Sequence, residues 1–275
     1  MRLHTALALL MGMSAALVLP GRAAETMVGN LKVHYTVAGA GPTIIFVHGW
    51  TCDESSWQYQ VPVFSKNYQV VTLDLPGHGR SDSPREADFS MDLFARSVEA
   101  VRQAIHANRV VLVGHSMGAA VIRQYALNYP KHVAGLVAAD GPLDVRWLAS
   151  RSGGQPPMTR DQREKMINGM FVPSTPAPMR SQIKTMMLAT PDTTATGAIA
   201  AMFDPRIQSK KIIRAPALTI FAGSSMLPRD QSTKEMLPNW ESTQIAGTGH
   251  FVMMERPDEF NRLLAEFLKT RARYQ

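Results

Sequence analysis

Five short, uninterrupted apolar runs divide the chain, and segments with helical periodicity separate them. The runs are Thr43 to Val47, Gln69 to Leu73, Arg109 to Val113, Val133 to Ala138 and Ala217 to Phe221. Runs that do not alternate with polar residues are typical of strands buried on both faces, and such strands form parallel sheets covered by helices. The sequence therefore predicts an α/β fold with a mostly parallel central sheet flanked by helices.

The segment at positions 144–205, here called the insertion, interrupts this alternation. Proline is frequent in it, and no strand-like run occurs. Thr159 and Gln162 form a capping-box pattern that predicts a helix reaching to Pro173, and a second helix is predicted around Met179 to Met187. We interpret the insertion as a small helical lid. Its methionines either line a pocket or pack the lid onto the rest of the fold.

The first 23 residues have the pattern of a secretory signal peptide. Arg2 supplies a positive start, an apolar run extends from Leu7 to Leu19, and cleavage is predicted after Ala23. The run is shorter than the ~18 residues that span a bilayer, which disfavours an uncleaved membrane anchor. We therefore expect one mature domain, residues 24–275, that is periplasmic or secreted and has no stable membrane span.

The charge balance is basic, with a formal net charge of +7. No dense basic run interleaved with aromatic residues occurs, so we expect no nucleic-acid partner. Cys52 is the single cysteine of the sequence, which excludes an intramolecular disulfide, and no Cys/His cluster indicates a metal site. We interpret Cys52 as a packing residue and expect neither a metal nor an organic cofactor.

The pentapeptide GHSMG at positions 114–118 carries the clearest chemical signal. It follows a predicted strand and opens a helical segment from Ala119 to Leu127, which is the context of a GxSxG nucleophile elbow. Its glycines remove side chains that would clash in a sharp turn. Backbone N–H groups and the positive end of the helix dipole at such a turn favour developing negative charge. Ser116 is therefore the candidate nucleophile.

Four motifs follow one another along the chain: HGW at 48–50, DLPGHGRSD at 74–82, GHSMG at 114–118 and GTGHFVMMERPDEF at 247–260. Together they resemble the α/β-hydrolase superfamily over nearly all of the predicted mature chain. The resemblance implies that the backbone N–H groups of Trp50 and Met117 form an oxyanion hole and that the Trp50 side chain lines an acyl pocket. Met170 and Met187 of the insertion are further candidates for substrate contacts.

A serine nucleophile needs a base because its hydroxyl is barely ionised at neutral pH, and imidazole suits that task. Among the eight histidines, only His250 lies in a glycine-rich loop between the last predicted strand and the final helix. The strand is predicted near Thr243 to Ala246 and the helix from Pro257 to Arg271. The family resemblance implies the same residue as general base.

The acid of the triad departs from the commonest family pattern. The resemblance places it after the run that ends at Phe221, where this chain has Met226. Some members, including certain lactonases and dehalogenases, carry it after the preceding strand, where this chain offers Asp140. A carboxylate at that strand end faces the same rim as the elbow and can hold the imidazole tautomer. Asp140 is therefore the preferred acid, and Asp230 is the alternative.

The expected function is that of a serine hydrolase which cleaves a carboxylic ester or a lactone through an acyl-enzyme intermediate. A serine nucleophile disfavours the aspartate-dependent haloalkane dehalogenases and epoxide hydrolases of the same fold. The motifs leave amide, peracid and carbon–carbon bond hydrolysis open. A catalytically slow ligand-binding receptor is the alternative from a different class, and the expected partner in every case is a small molecule.

Overall fold

An eight-stranded sheet runs through the computed structural model, which describes residues 21–146, 158–228 and 232–274. The strands are β1 (Arg22–Val28), β2 (Leu31–Ala38), β3 (Thr43–Val47), β4 (Gln69–Leu73), β5 (Val110–His115), β6 (Val133–Ala139), β7 (Ala217–Ala222) and β8 (Trp240–Ile245). Their order across the sheet is β1-β2-β4-β3-β5-β6-β7-β8. The pairs β1–β2 and β2–β4 are antiparallel, and all other neighbours are parallel.

The predicted α/β fold is confirmed, and the five predicted apolar runs agree with β3 to β7 to within two residues at each end. Every residue of β3, β5, β6 and β7 is buried, which explains why these sequences do not alternate with polar residues. The last strand differs, since β8 begins at Trp240 rather than near Thr243. It lies at the sheet edge and exposes Glu241 and Ser242, so its apolar pattern is interrupted.

Helices surround this sheet. In chain order they are α1 (Val61–Phe64), α2 (Met91–Ala104), α3 (Met117–Asn128), α4 (Arg160–Asn168), α5 (Ala177–Ala189), α6 (Asp192–Met202), α7 (Thr233–Met236), α8 (Val252–Glu255) and α9 (Pro257–Thr270). α3 packs against β5 and β6, and α2 packs against α3. The predicted final helix is α9, which buries Phe260, Leu264 and Phe267 on one face.

The described part of the insertion contains α4, α5 and α6. α4 begins with the predicted capping box, in which the Gln162 N–H donates to Thr159 Oγ1 at 3.2 Å and the Thr159 N–H donates to Gln162 Oε1 at 2.8 Å. This helix ends at Asn168, before the predicted end near Pro173. The sequence does not predict α6, because its residues are mainly Thr, Ala and Gly and form no apolar stripe.

β1 lies at the boundary of the predicted signal peptide. Arg22 pairs with Val37 and Ala23 pairs with Thr36 in the first ladder of the sheet, while residues 1–20 lie outside the described part. Cleavage after Ala23 stays a prediction, and it would leave a strand that starts two residues later. No described helix is long and apolar enough to cross a bilayer.

The direction of chain winding reverses beside β3, because β4 lies on one side of it and β5 on the other. In open α/β sheets, ligands bind in the crevice at such a switch point, outside the carboxyl ends of the strands. The loop after β3 carries Trp50, and the turn after β5 carries Ser116. The fold thus brings two of the predicted motifs to one edge.

Substitution of Gly118 by alanine should destabilise the fold. A Cβ at this position would lie 2.6 Å from the carbonyl oxygen of His48, and this backbone cannot yield without moving β3. We expect the free energy of unfolding to fall by about 1–3 kcal/mol, as for other overpacked sites. Urea unfolding measures the change. Gly169→Ala is the control, because its nearest contact is 3.3 Å away at an α4 terminus, and equal stability of the two variants would contradict the prediction.

Candidate active site

Ser116 occupies a strained turn between β5 and α3. Its φ is +52° and its ψ is −117°, a region that few residues other than glycine adopt. Strain of this kind persists only where the surrounding structure enforces it, and it concentrates at functional sites. Here the Ser116 N–H donates to the Ala139 carbonyl at 3.1 Å, and the Ser116 carbonyl accepts from the Ala119 N–H at 2.9 Å. Ser116 is half-buried in an otherwise buried segment, so part of the residue is accessible at this edge of the sheet.

Asp140 and His250 form a direct pair. Asp140 Oδ2 lies 2.6 Å from His250 Nδ1, within the range expected for an acid that orients a base. The carboxylate is 4% exposed and the imidazole 22%, so the pair has a buried end and an end that solvent and substrate can reach. An ionised carboxylate only accepts hydrogen bonds, so Nδ1 carries the proton and Nε2 of the neutral ring is left as the acceptor.

Hydrogen bonds keep Asp140 ionised despite its burial. Burial by itself raises the pKa of a carboxyl group. The pKa of Asp140 is nevertheless held below its usual range by the hydrogen bond from His250 and by the positive charge of the protonated His250 ring. Hydrogen bonds from Ser225 and the Ala222 N–H lower it further. The Ala222 N–H donates to Oδ1 at 3.0 Å, so the carboxylate is fixed by β7 as well as by the histidine. Asp140 itself has a φ of +41° at the end of β6.

The alternative acid, Asp230, lies outside the described residues. Met226, at the commonest family position for the acid, is 97% exposed. Its neighbour Ser225 does reach the pair, since its side chain bonds to Asp140. The loop after β7 therefore contributes a supporting group to the site, while β6 contributes the carboxylate.

The two predicted oxyanion amides lie on adjacent loops at the switch point. Met117 is the first residue of α3, and its N–H points from the positive end of the helix dipole. Among the residues that the structure describes, neither the Met117 N–H nor the Trp50 N–H donates to a protein acceptor. Two unpaired amides beside Ser116 can stabilise a developing oxyanion.

The peptide that carries the Trp50 N–H is oriented by His48. The Leu75 N–H donates to His48 Nε2 at 2.9 Å, so the proton of the neutral ring is on Nδ1, which donates to the Gly49 carbonyl at 2.8 Å. Because a peptide unit is planar, fixing the Gly49 carbonyl also fixes the direction of the Trp50 N–H. In the sequence, His48 is distinguished only by its place in the HGW motif, which does not predict this contact.

The insertion holds the loop of the base. The His250 N–H donates to the Met170 carbonyl at 2.9 Å, and the Ser174 hydroxyl donates to the Gly247 carbonyl at 3.0 Å. Met170, predicted as a substrate contact, thus supports the base through its backbone. The buried Glu255 carboxylate adds a further link, since its Oε2 accepts from the Thr175 hydroxyl at 2.9 Å and from the Gly249 N–H at 3.0 Å.

The insertion also holds the loop after β3 that carries Trp50 and Thr51, here called the oxyanion loop. The Trp50 indole N–H donates to the Ala195 carbonyl of α6 at 2.8 Å, and the Thr190 hydroxyl donates to the Thr51 carbonyl at 2.9 Å. The Trp50 side chain is 4% exposed and that of Met187 is 1% exposed. Both residues, predicted to contact substrate, are therefore part of the hydrophobic core in this structure.

A cavity of about 250 Å³ begins beside the acid, at Gly141. Its other lining residues include Leu143, Phe221, Leu227 and Trp240, so its walls are mainly apolar. Neither Ser116 nor His250 lines it. We therefore do not assign the reacting part of a substrate to this cavity.

A mostly parallel sheet with an acid–histidine pair and a strained turn at the carboxyl ends of its strands defines the class of α/β hydrolases. The model of the alpha/beta hydrolase family matches residues 44–263, which is most of the chain. The chain belongs to this family, and it is a hydrolase by family membership.

Individual relatives differ in activity. A 2-hydroxy-6-oxononadienedioate/2-hydroxy-6-oxononatrienedioate hydrolase of Paraburkholderia phymatum is 29% identical over 264 residues, covering 87% of this chain and 91% of the relative. Epoxide hydrolase 3 of Mus musculus is 33% identical over 116 residues, which are 41% of this chain and only 32% of the relative. A solved N-acyl homoserine lactone degrading enzyme has a TM-score of 0.72 at 24% identity and covers 89% of this chain and 100% of its own. That likeness concerns the fold.

Replacement of Asp140 by asparagine should slow covalent labelling of Ser116 by a fluorophosphonate by about 10³- to 10⁴-fold, because the amide neither stabilises the imidazolium nor enforces the tautomer. Asp230→Asn is the matched variant, expected to stay within about tenfold of wild type. Labelling rates are read by mass spectrometry on variants whose unfolding curves are unchanged. A severe loss in Asp230→Asn together with normal labelling of Asp140→Asn would assign the acid to the later loop.

Proposed function

We propose that the protein is a serine hydrolase that cleaves a carboxylic ester or a lactone through an acyl-enzyme intermediate. The observation that carries this proposal is the buried Asp140 carboxylate 2.6 Å from His250 Nδ1, at the same sheet edge as the strained turn of Ser116. An acid, a base and a hydroxyl in this order form a catalytic triad, whatever the order of the residues along the chain.

In the proposed reaction, Ser116 Oγ attacks the carbonyl carbon while His250 Nε2 takes the hydroxyl proton. The carbonyl oxygen becomes an oxyanion that accepts hydrogen bonds from the Trp50 and Met117 N–H groups. The protonated imidazole, stabilised by Asp140, then gives its proton to the departing alkoxide, and the acyl group stays on the serine. Water repeats the sequence, with His250 first as base and then as acid, and releases the carboxylic acid.

One observation and one chemical argument favour an ester or lactone within serine chemistry. The acid follows β6, the position at which certain lactonases and dehalogenases of the family carry it, and the serine nucleophile disfavours the dehalogenases. Esters and lactones need no strong activation of the leaving group, so this site requires no further acid.

Carbon–carbon bond hydrolysis is the second candidate, because the relative from Paraburkholderia phymatum aligns over nearly its whole length. That enzyme is named for oxo-dienedioate substrates, which carry two carboxylates. An assay of both substrate classes separates the candidates. Turnover of such a dienedioate without turnover of esters or lactones would contradict the proposed function and assign carbon–carbon bond hydrolysis instead.

Ser116→Ala should lower hydrolysis of a panel of p-nitrophenyl esters and acyl lactones by at least ~10³, since the members of a triad act as a unit. Wild type should turn over many times per active site, measured against the burst of product. A single covalent event without further turnover would instead indicate a ligand-binding receptor. Labelling of another residue by the fluorophosphonate would remove the serine-hydrolase assignment.

The rate should rise with pH through the loss of one proton. Burial lowers the pKa of His115 and of His78 to about 3. The charge of a neighbouring histidine adds to this effect, His250 for His115 and His48 for His78. Burial also lowers the pKa of His48, and Asp140 stays ionised, so His250 is the remaining group of the site whose protonation blocks attack. We expect kcat/KM, measured from pH 5 to 8, to rise with pH along a single-proton limb, because a protonated imidazole cannot accept the serine proton. A flat profile, with chemistry shown to be rate-limiting, would exclude an imidazole base.

A further inference from the structure

His115, the residue before the nucleophile, lies against the base. Its ring centroid is 4.8 Å from that of His250 and 4.8 Å from that of Phe251, and the side chain is 1% exposed. The proposed reaction gives this imidazole no proton to carry. A buried histidine that directly precedes Ser116 in the chain and packs on His250 therefore needs its own explanation.

The contacts of the ring fix its tautomer. His115 Nε2 lies 3.0 Å from the carbonyl oxygen of His250, and a carbonyl only accepts, so Nε2 carries the proton. Nδ1 of the neutral ring then holds a lone pair, and this buried atom has no hydrogen-bond partner within the described part of the chain. A Cβ on Gly49 would lie 2.8 Å from Nδ1, so the ring also fills the space behind the oxyanion loop.

Three hydrogen bonds position His250, and they come from three parts of the chain. Its N–H donates to Met170, its ring donates to Asp140, and its carbonyl accepts from His115. The first two bonds tie the base to the insertion and to β6. The bond from His115 ties it to the residue next to Ser116.

We propose that His115 is a positioning residue that couples the nucleophile to the base. Its Nε2–H···O=C bond sets the distance between the backbone of the elbow and the backbone of His250, and so the alignment of the imidazole with the Ser116 hydroxyl. The inference rests on the proposed function, since alignment has a consequence only where Ser116 reacts. It predicts a defect in the chemical step, because a misplacement of about 1 Å costs on the order of 10²-fold in rate.

Packing alone would give a different result, and three variants separate the two explanations. His115→Leu keeps an apolar side chain of similar size but has no donor. His115→Gln keeps an N–H donor at nearly the distance of Nε2 from the backbone. His115→Asn also has an amide, but its side chain is one bond too short to reach the His250 carbonyl.

The experiment measures kcat and KM for p-nitrophenyl butyrate and the rate of fluorophosphonate labelling, with full-length wild type and variants whose unfolding curves are recorded. We expect His115→Leu and His115→Asn to lose about 30- to 100-fold in kcat with KM changed less than threefold. His115→Gln should recover to within about fivefold of wild type. Equal activity of the Gln and Asn variants, or wild-type kcat in His115→Leu, would overturn the proposal. Should His115→Leu fail to fold, the comparison of the Gln and Asn variants alone tests it.

Failure of the proposed function gives a distinct pattern. If wild type is not labelled at Ser116 and has no more activity than Ser116→Ala, both the proposed function and the proposed role of His115 are wrong. If wild type is labelled and active while all three His115 variants match it, the function stands and only the positioning role is wrong.

Discussion

The candidate site depends on the close approach of α3 to the carboxyl end of β3. Gly118 lies against the His48 carbonyl, and a Cβ on Gly141 would lie 2.8 Å from the Ser116 nitrogen, so neither position leaves room for a larger side chain. Ser116 has its positive φ at this approach, and the Met117 N–H lies at the start of α3. The sheet provides the frame because its winding reverses at this point.

The insertion is part of this frame. It contacts the oxyanion loop through the Trp50 indole and contacts the base loop through the Met170 carbonyl. A segment that holds both the amide and the imidazole cannot swing away as a free lid without loosening them. The methionine-rich composition has a corresponding explanation on α5, where Met187 is buried and Met186 Sδ lies 3.6 Å from the Ser56 hydroxyl. Met186 thus contacts the body of the fold, and Met187 is part of the hydrophobic core.

The sequence predicted the parts of the structure that periodicity and strand ends determine. Uninterrupted apolar runs mark strands buried on both faces, and the chain position of Asp140 places its carboxylate at the same edge as the elbow. Long-range hydrogen bonds leave no such pattern. His48, His115 and Glu255 were indistinguishable from ordinary buried or turn residues, because their partners are set by how loops from distant segments pack. The composition of α6 gives no amphipathic pattern for a different reason, because that helix is mostly buried.

Cys52 has a practical consequence. It is the only thiol of the sequence, it is 1% exposed, and its S–H is directed at the Trp50 carbonyl oxygen at 3.5 Å. Burial raises the pKa of this thiol, and the thiolate is the form that reacts with oxidants and maleimides. We therefore expect Cys52 of the native chain to react slowly with thiol reagents. A cysteine introduced on the solvent face of α4 would be the one accessible thiol, and the mobility of a spin label or fluorophore attached to it would report the motion of the insertion.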